Sequence, residues 1–496
     1  MSYKKMLTKA RNAKAKIKYY TDRKQLLTVQ MVCDIIGVSV PECLKPNDTF
    51  SMICTFDGVV LEDSLLVKFP AYSDDYIEHL MCSYKPKAIM TEKAVNGWPC
   101  IVVENIFEAT VKLYRVLWKR IEVPSLVVTG SIGKTTTKYF LNSIFSQMGK
   151  TFCNITNGNT FYYLGFELQR FDHSAKTFIQ EVTEDESFSP SAVSRALNPN
   201  VAIITNMYDS HIGELGSQEN VIKSICGIAD GMGAENTVVI NADDPNSMNV
   251  NFQCKTISVG INNQDADYQA INIKLTNEAT EFDVLHNESI VHCVINVPGK
   301  HNIYCALQAF AAAKAMFVPN HMIVDGIAQY RPLGFRQNIY RAFNKTIIAD
   351  CYNASAKSVE AAIENVKLCK TRTGGVKTVV LGDIAEIDGF EESIYSQIAD
   401  ALNVSDVGLL ITYGKTSVKI HDYLKNQSIE TFHITDFDQL VEKLKSIQDR
   451  KHYVYLFKGS RINHLEKAIY KVFPITYCIG MMPVIKKYLE WTIRTL

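Results

Sequence analysis

Apolar and polar positions alternate between two periods along this chain. Up to about residue 120, "SLLVKF" (64–69), "KAIM" (87–90) and "CIVVE" (100–104) read as short buried strands. Between and after them, "DDYIEHLMCSY" (74–84) and "IFEATVKLYRVLWKRI" (106–121) carry apolar residues at helical spacing. From 125 the pattern changes. "SLVVTG", "TFIQEV", "VAIITN" and "NTVVIN" are β-branched and almost wholly apolar, with helix-like stretches between them. Strands apolar on both faces predict a parallel sheet covered by helices, with ligands at the carboxyl ends of its strands. "INVPGKHNIYCALQAFAAAKAMF" (295–317) predicts a turn followed by an alanine-rich helix. A last unit begins near 333, with strands "KTIIAD", "KTVVLGD", "VGLLITYG" and "HYVYLFKGS", and again predicts an open, doubly wound sheet.

The expected fold class is therefore α/β in three domains: an N-terminal α/β unit over 1–120, a central parallel-sheet domain over 121–330, and a C-terminal Rossmann-like domain over 331–496. A length of 496 residues fits two or three cores rather than one. The tail "PITYCIGMMPVIKKYLEWTIRTL" (474–496) predicts a terminal amphipathic helix. Basic and acidic residues balance at 52 each, so bulk charge gives no argument for nucleic acid or a membrane surface. No apolar run approaches the roughly 20 residues of a membrane span. The basic N-terminus lacks the apolar stretch of a secretory signal. The 13 cysteines are scattered singly, which suits free thiols in a reducing, cytoplasmic setting.

Candidate chemistry centres on "VVTGSIGKTTTKYF" (127–140). A strand runs into Gly130-Ser131-Ile132-Gly133-Lys134-Thr135-Thr136, and a helix follows. Backbone N–H groups of such a turn, with a helix N-terminus behind them, bind phosphate. Lys134 can reach the β- and γ-phosphates, and the Thr135 hydroxyl can take Mg²⁺. Val128 stands where the common Walker A spacing would have its first glycine.

This variant loop resembles that of the Mur ligases, ATP-dependent amide ligases of peptidoglycan precursor synthesis. Further segments agree in order: "VPGKHNIYCALQAFAAA" (297–313), "ADCYNASAKSVEAAIENV" (349–366), "VVLGDIAEI" (379–387) and "LFKGSRINHLEKAI" (456–469). The last three are similar to members that add D-alanyl-D-alanine to a UDP-N-acetylmuramoyl-tripeptide. The resemblance implies substrate binding by the 1–120 unit, ATP binding by 121–330 and a ligase domain over 331–496, with ATP and Mg²⁺ as cofactors, an acyl-phosphate intermediate, small-molecule substrates (a nucleotide-sugar peptide and a dipeptide or amino acid), and a monomer. By resemblance Lys134, Glu181 and His211 are catalytic, and Thr135, Glu181 and His211 sit at the metals. Asn302 contacts adenine, Asp350 the ribose, and Arg336 approaches the γ-phosphate on domain closure. Asn353, Lys458 and Arg461 bind the incoming peptide.

Three segments depart from the family pattern. The lysine that the family carbamylates to help place a second Mg²⁺ is Ile225, with Gly227 two residues on. Lys223 lies roughly 200° away on a helix. Phe161 and Tyr162 replace paired asparagines in "GNTFYYLG" (158–165). The uridine-diphosphate element of the N-terminal domain lacks its serine and arginine in "CTFDGVVLEDSLLVKF" (54–69). Two alternatives follow: a ligase of the same chemistry with a different carboxylate and amino acid, or a catalytically weakened ATP-binding partner protein.

Overall fold

A computed structural model describes residues 26–55, 60–154, 158–184, 188–208, 215–342, 345–371, 374–425, 427–448 and 452–473. The basic N-terminus, the 474–496 tail and His211 lie outside the described residues.

The N-terminal part holds a two-stranded antiparallel pair, β1 (Leu27–Thr28) and β2 (Thr49–Phe50), and a four-stranded parallel sheet. That sheet runs in chain order through β3 (Ile53–Cys54), β4 (Leu65–Val67), β5 (Ala88–Thr91) and β6 (Cys100–Val102). The helices Asp74–Tyr84 and Ile106–Trp118 follow the apolar spacing of the sequence. Each starts at a side-chain cap, Ser73 and Asn105, that accepts a first-turn N–H.

Nine strands form the central sheet. They are β7 (Ser125–Thr129), β8 (Thr151–Cys153), β9 (Thr177–Glu181), β10 (Val201–Ile204), β11 (Thr237–Asn241), β12 (Lys255–Gly260), β13 (Tyr268–Leu275), β14 (Thr280–His286) and β15 (Ser289–Ile295). Their order is β15-β14-β13-β12-β11-β10-β7-β9-β8, parallel from β8 to β13. The last two strands add an antiparallel extension that the sequence pattern did not mark. Along β7 and β10, alternate residues enter two different cores. Leu126, Val128, Val201 and Ile203 face the helices Lys134–Phe145, Lys300–Ala315 and Asn320–Gln329. Val127, Ala202 and Ile204 face the other way, into one continuous core shared with the N-terminal unit. That sharing fixes the N-terminal unit on the central sheet.

The C-terminal sheet contains β16 (Asn338–Ala342), β17 (Lys345–Asp350), β18 (Val376–Gly382), β19 (Leu409–Tyr413), β20 (Glu430–Ile434) and β21 (His452–Lys458), in the order β16-β17-β21-β18-β19-β20. Only the edge strand β16 is antiparallel. Separate apolar clusters cover its two faces. β7, β9, β17 and β21 all end at one cleft, where open α/β sheets place their ligands.

Candidate active site

After β7 the chain turns through four residues into the helix Lys134–Phe145. Gly130 and Gly133 have φ values of +118° and +93°, a region side chains rarely adopt. A Cβ on Gly130 would stand 2.8 Å from Asn206 O. Asn206, two residues past the end of β10, straps the loop in place. Ser131 N–H donates to Asn206 O and Ile132 N–H to Asn206 Oδ1, each at 3.0 Å, and Asn206 Nδ2 donates to Ile132 O at 2.9 Å. Gly133 caps the helix without a side chain, so no side-chain acceptor occupies its first-turn N–H groups. An uncapped helix N-terminus of this kind suits a phosphate.

Two ammonium–carboxylate pairs lie against the loop. Lys134 Nζ donates to Glu184 Oε2 and to Gly130 O, both at 2.6 Å. The fully buried Lys138 Nζ is 2.8 Å from Glu181 Oε2, and the Thr135 hydroxyl donates to Glu181 Oε1 at 2.8 Å. Asn154 fixes the Glu181 backbone, accepting its N–H at 2.9 Å and donating to its carbonyl at 3.2 Å. Burial works to raise the Glu181 pKa, but the Lys138 and Arg336 charges overcome it and hold the carboxyl below its ordinary range. Burial works to lower the Lys138 pKa, and the Glu181 carboxylate outweighs it.

The C-terminal sheet supplies the opposite wall. Asp350 and Lys458 are register partners at the ends of β17 and β21. Lys458 Nζ is 3.4 Å from Asp350 Oδ2 and also donates to Asn353 O. The Arg336 guanidinium lies 4.0 Å above the Tyr352 ring. At the junction, the His301 ring is 2.7 Å from Gln337 Oε1, and Asn302 Nδ2 donates to the same oxygen at 3.2 Å. Burial pushes the His301 pKa down.

Ser131, Gly133, Lys134, Thr135, Thr136, Glu181, Asn302, Arg336, Asp350, Asn353 and Lys458 therefore line one cleft of about 790 Å³. Gly130 sits under the loop and contributes its carbonyl to Lys134. Arg461 does not line the cleft; its Nη1 is 2.7 Å from Glu466 Oε1. A divalent cation fits the donors present. Thr135 Oγ1 and the Glu181 carboxylate are hard oxygens beside the loop, and Glu181 Oε2 is buried without a well-aligned hydrogen bond. No cluster of three or more histidine, cysteine or acidic residues stands ready for a metal among the described residues. The remaining ligands would come from phosphate and water, as is usual for Mg²⁺.

The departures take definite form. Ile225 is fully buried in the core and Lys223 is exposed, so neither brings a donor to the cleft. Phe161 is fully buried, 5.1 Å from the Tyr114 ring, and Tyr162 stands edge-on to Phe69 at 4.6 Å. Thr55 hydroxyl donates to Tyr162 O, and Gln169 exchanges two hydrogen bonds with the Ile53 backbone at 2.8 and 3.0 Å. Aromatic rings and these bonds join the N-terminal unit to the central sheet.

Sequence reasoning missed Asn206, Asn154, Lys138 and Glu184. Asn206 follows directly on the apolar run "VAIIT" and Glu184 stands two residues past "TFIQEV", where a carboxyl-end rule would have flagged both. Lys138 lies in a polar-looking helix turn, and nothing in its spacing announces burial.

Residues 128–313 match the Mur ligase middle domain and residues 336–461 the Mur ligase glutamate ligase domain. The chain is 27% identical to the UDP-N-acetylmuramoyl-tripeptide–D-alanyl-D-alanine ligase of Bacillus subtilis over 77% of its own length and 84% of the relative's. It is 27% identical to the Escherichia coli protein of the same name, over 71% and 78%. Among solved structures, MurF from Acinetobacter baumannii superposes with a TM-score of 0.77 at 19% identity, covering 91% of this chain and 99% of that one. MurF from Thermotoga maritima in complex with ADP gives 0.72 at 20% identity, covering 85% and 96%.

Proposed function

The chain belongs to the Mur ligase family, and from that premise we propose an ATP-dependent, ADP-forming ligase that joins D-alanyl-D-alanine to a UDP-N-acetylmuramoyl-tripeptide in peptidoglycan precursor synthesis. The observation that carries the reading is the single cleft holding the phosphate loop, the Thr135–Glu181 pair and the Asp350–Lys458 pair. The relatives' names supply the substrates.

In the first step a carboxylate oxygen of the tripeptide attacks the γ-phosphorus of ATP, and ADP leaves. In the second the dipeptide amine attacks the acyl carbon, inorganic phosphate leaves with the bond electrons, and the amine loses a proton as the amide forms. The first step brings two anions together, so the protein must supply positive charge. The helix N-terminus and Lys134 hold the β- and γ-phosphates. Arg336, on the opposite wall, adds a second cation. Asp350, oriented by Lys458, takes the ribose hydroxyls, and Asn302 the adenine. Mg²⁺, held by Thr135 Oγ1 and Glu181, would neutralise phosphate charge. A cleft walled by two sheets limits the water that would hydrolyse an acyl phosphate. The setting is cytoplasmic, where nucleotide and thiols persist. No described helix is long and apolar enough to cross a membrane.

One observation favours a second reading. Buried Phe161 and packed Tyr162 offer none of the amide hydrogen bonds expected at a UDP-linked substrate. They favour the same chemistry on a different carboxylate. Phosphate release from Mg-ATP, with each substrate omitted in turn and Lys134→Ala as control, tests the choice. Release that requires both substrates and Lys134 supports the first reading. Nucleotide binding without release, when both are supplied, rejects these substrates.

A further inference from the structure

The chain passes from the central to the C-terminal domain through a turn in which two residues with side chains take left-handed backbone, Phe335 at φ +57° and Gln337 at φ +60°. Such angles cost free energy where there is a Cβ, and they persist only where the surroundings hold them. Here they are held. Phe335 is buried in the C-terminal core, edge-on to the Tyr470 ring at 5.8 Å. Asn338 Oδ1 accepts the Arg336 N–H at 3.1 Å, and Asn338 Nδ2 donates to Pro332 O at 2.8 Å. Gln337 thereby turns its amide onto the start of the Lys300–Ala315 helix, in the same cleft as His301 and Asn302.

One backbone carbonyl decides how both amides are oriented. The Asn302 atom 2.8 Å from Pro298 O faces an acceptor, so it is the donor end, Nδ2. The Gln337 atom 3.2 Å from that nitrogen must accept, so it is Oε1. His301 Nε2, 2.7 Å from the same oxygen, then carries a hydrogen, whether the ring is neutral or charged. Both hydrogens of Asn302 Nδ2 are used. What the pair offers to the cleft is Asn302 Oδ1, an acceptor, and Gln337 Nε2, a donor. Neither has a partner among the described residues. Adenine carries the complementary pattern, an amino group that donates beside a ring nitrogen that accepts. A 6-oxopurine would set an oxygen against Asn302 Oδ1, and polar groups left unpaired in a site reject the wrong ligand strongly.

We propose that Gln337 is a base-reading residue of the nucleotide site: its Nε2 donates to a ring nitrogen of adenine while Asn302 Oδ1 accepts from the 6-amino group, and the pair refuses 6-oxopurines. Pro298 O and His301 keep the two amides in the orientation this needs. The inference rests on the nucleotide-site reading and deepens it, by assigning base selection to a residue on the inter-domain turn.

Titration calorimetry of full-length protein in Mg²⁺ tests it with four ligands: ADP, its 6-oxo counterpart IDP, the non-hydrolysable ATP analogue AMPPNP, and tripolyphosphate, which has no base. Wild type should bind ADP about tenfold or more tightly than IDP. Gln337→Glu keeps an oxygen for Asn302 and His301 and exchanges the cleft-facing donor for an acceptor. It should lose about tenfold in ADP and AMPPNP affinity relative to tripolyphosphate, a ratio that corrects for the added charge. Gln337→Met, with neither donor nor charge, should lose a similar factor on the same ratio. It serves also where circular dichroism shows that the glutamate variant does not fold. A ratio equal to wild type, in whichever variant folds, overturns the proposal, and so does a wild type that binds IDP as tightly as ADP. Either result leaves the phosphate loop standing as long as tripolyphosphate binds. A wild type that binds neither ADP nor tripolyphosphate overturns the nucleotide-site reading as well.

Discussion

The Lys138 ammonium, with no solvent exposure, stands 2.8 Å from Glu181 Oε2 inside the central domain. Neither charge is stable there alone. Lys138→Met should therefore cost about 3–5 kcal/mol, because it strands a buried carboxylate. Replacing both, as Lys138→Met with Glu181→Leu, should cost less than the single change. Urea denaturation of the two variants measures the difference.

Gly130 combines φ +118° with backbone of Thr205 and Asn206 within 2.9 Å of any Cβ. Gly130→Ala should displace the loop from its Asn206 strap. Strain of about 1–3 kcal/mol corresponds to roughly 5- to 150-fold weaker nucleotide binding. Calorimetric titration with AMPPNP reads it directly.

His301 has a folded pKa held below its ordinary 6.5, with burial as the main cause. Above that pH the ring is neutral in both states. Below it the unfolded chain takes up a proton that the folded protein resists, so stability falls as pH drops from 6.5 toward the folded value. Denaturation midpoints at pH 7.5 and 5.5 should show this loss, and His301→Gln should reduce it.

The core that Val127, Ala202 and Ile204 share with the N-terminal unit predicts joint unfolding. Phe161→Ala should cost about 3–5 kcal/mol, typical of a buried aromatic. Calorimetry should show the N-terminal and central parts melting together, at a lower temperature than in wild type.

Much of this was legible in the sequence where local pattern and chemistry coincide. The apolar runs at 125–129, 177–181 and 201–204 became parallel strands because burial on both faces demands such composition. The 130–136 segment became a glycine loop before a helix because no other residue accepts its backbone angles. The β13–β15 extension escaped notice because its strands, "YQAINIKL" for instance, alternate burial with exposure at a sheet edge and carry no continuous apolar signal. Long-range pairing was also invisible. Nothing in the spacing of Lys138 and Glu181, or of Lys134 and Glu184, tells which lysine meets which acid. Arg461 was placed with the cleft residues by its motif, yet the fold turns it toward Glu466.

The central claim is a ligase that proceeds through an acyl phosphate in the cleft of Lys134 and Asp350. The most direct measurement uses UDP-N-acetylmuramoyl-tripeptide with ¹⁸O in its reacting carboxylate, together with Mg-ATP and D-alanyl-D-alanine. The account predicts that one ¹⁸O atom appears in the inorganic phosphate for each amide formed, and that Lys134→Ala abolishes both. Amide formation with unlabelled phosphate, or phosphate release without any amide, would contradict it.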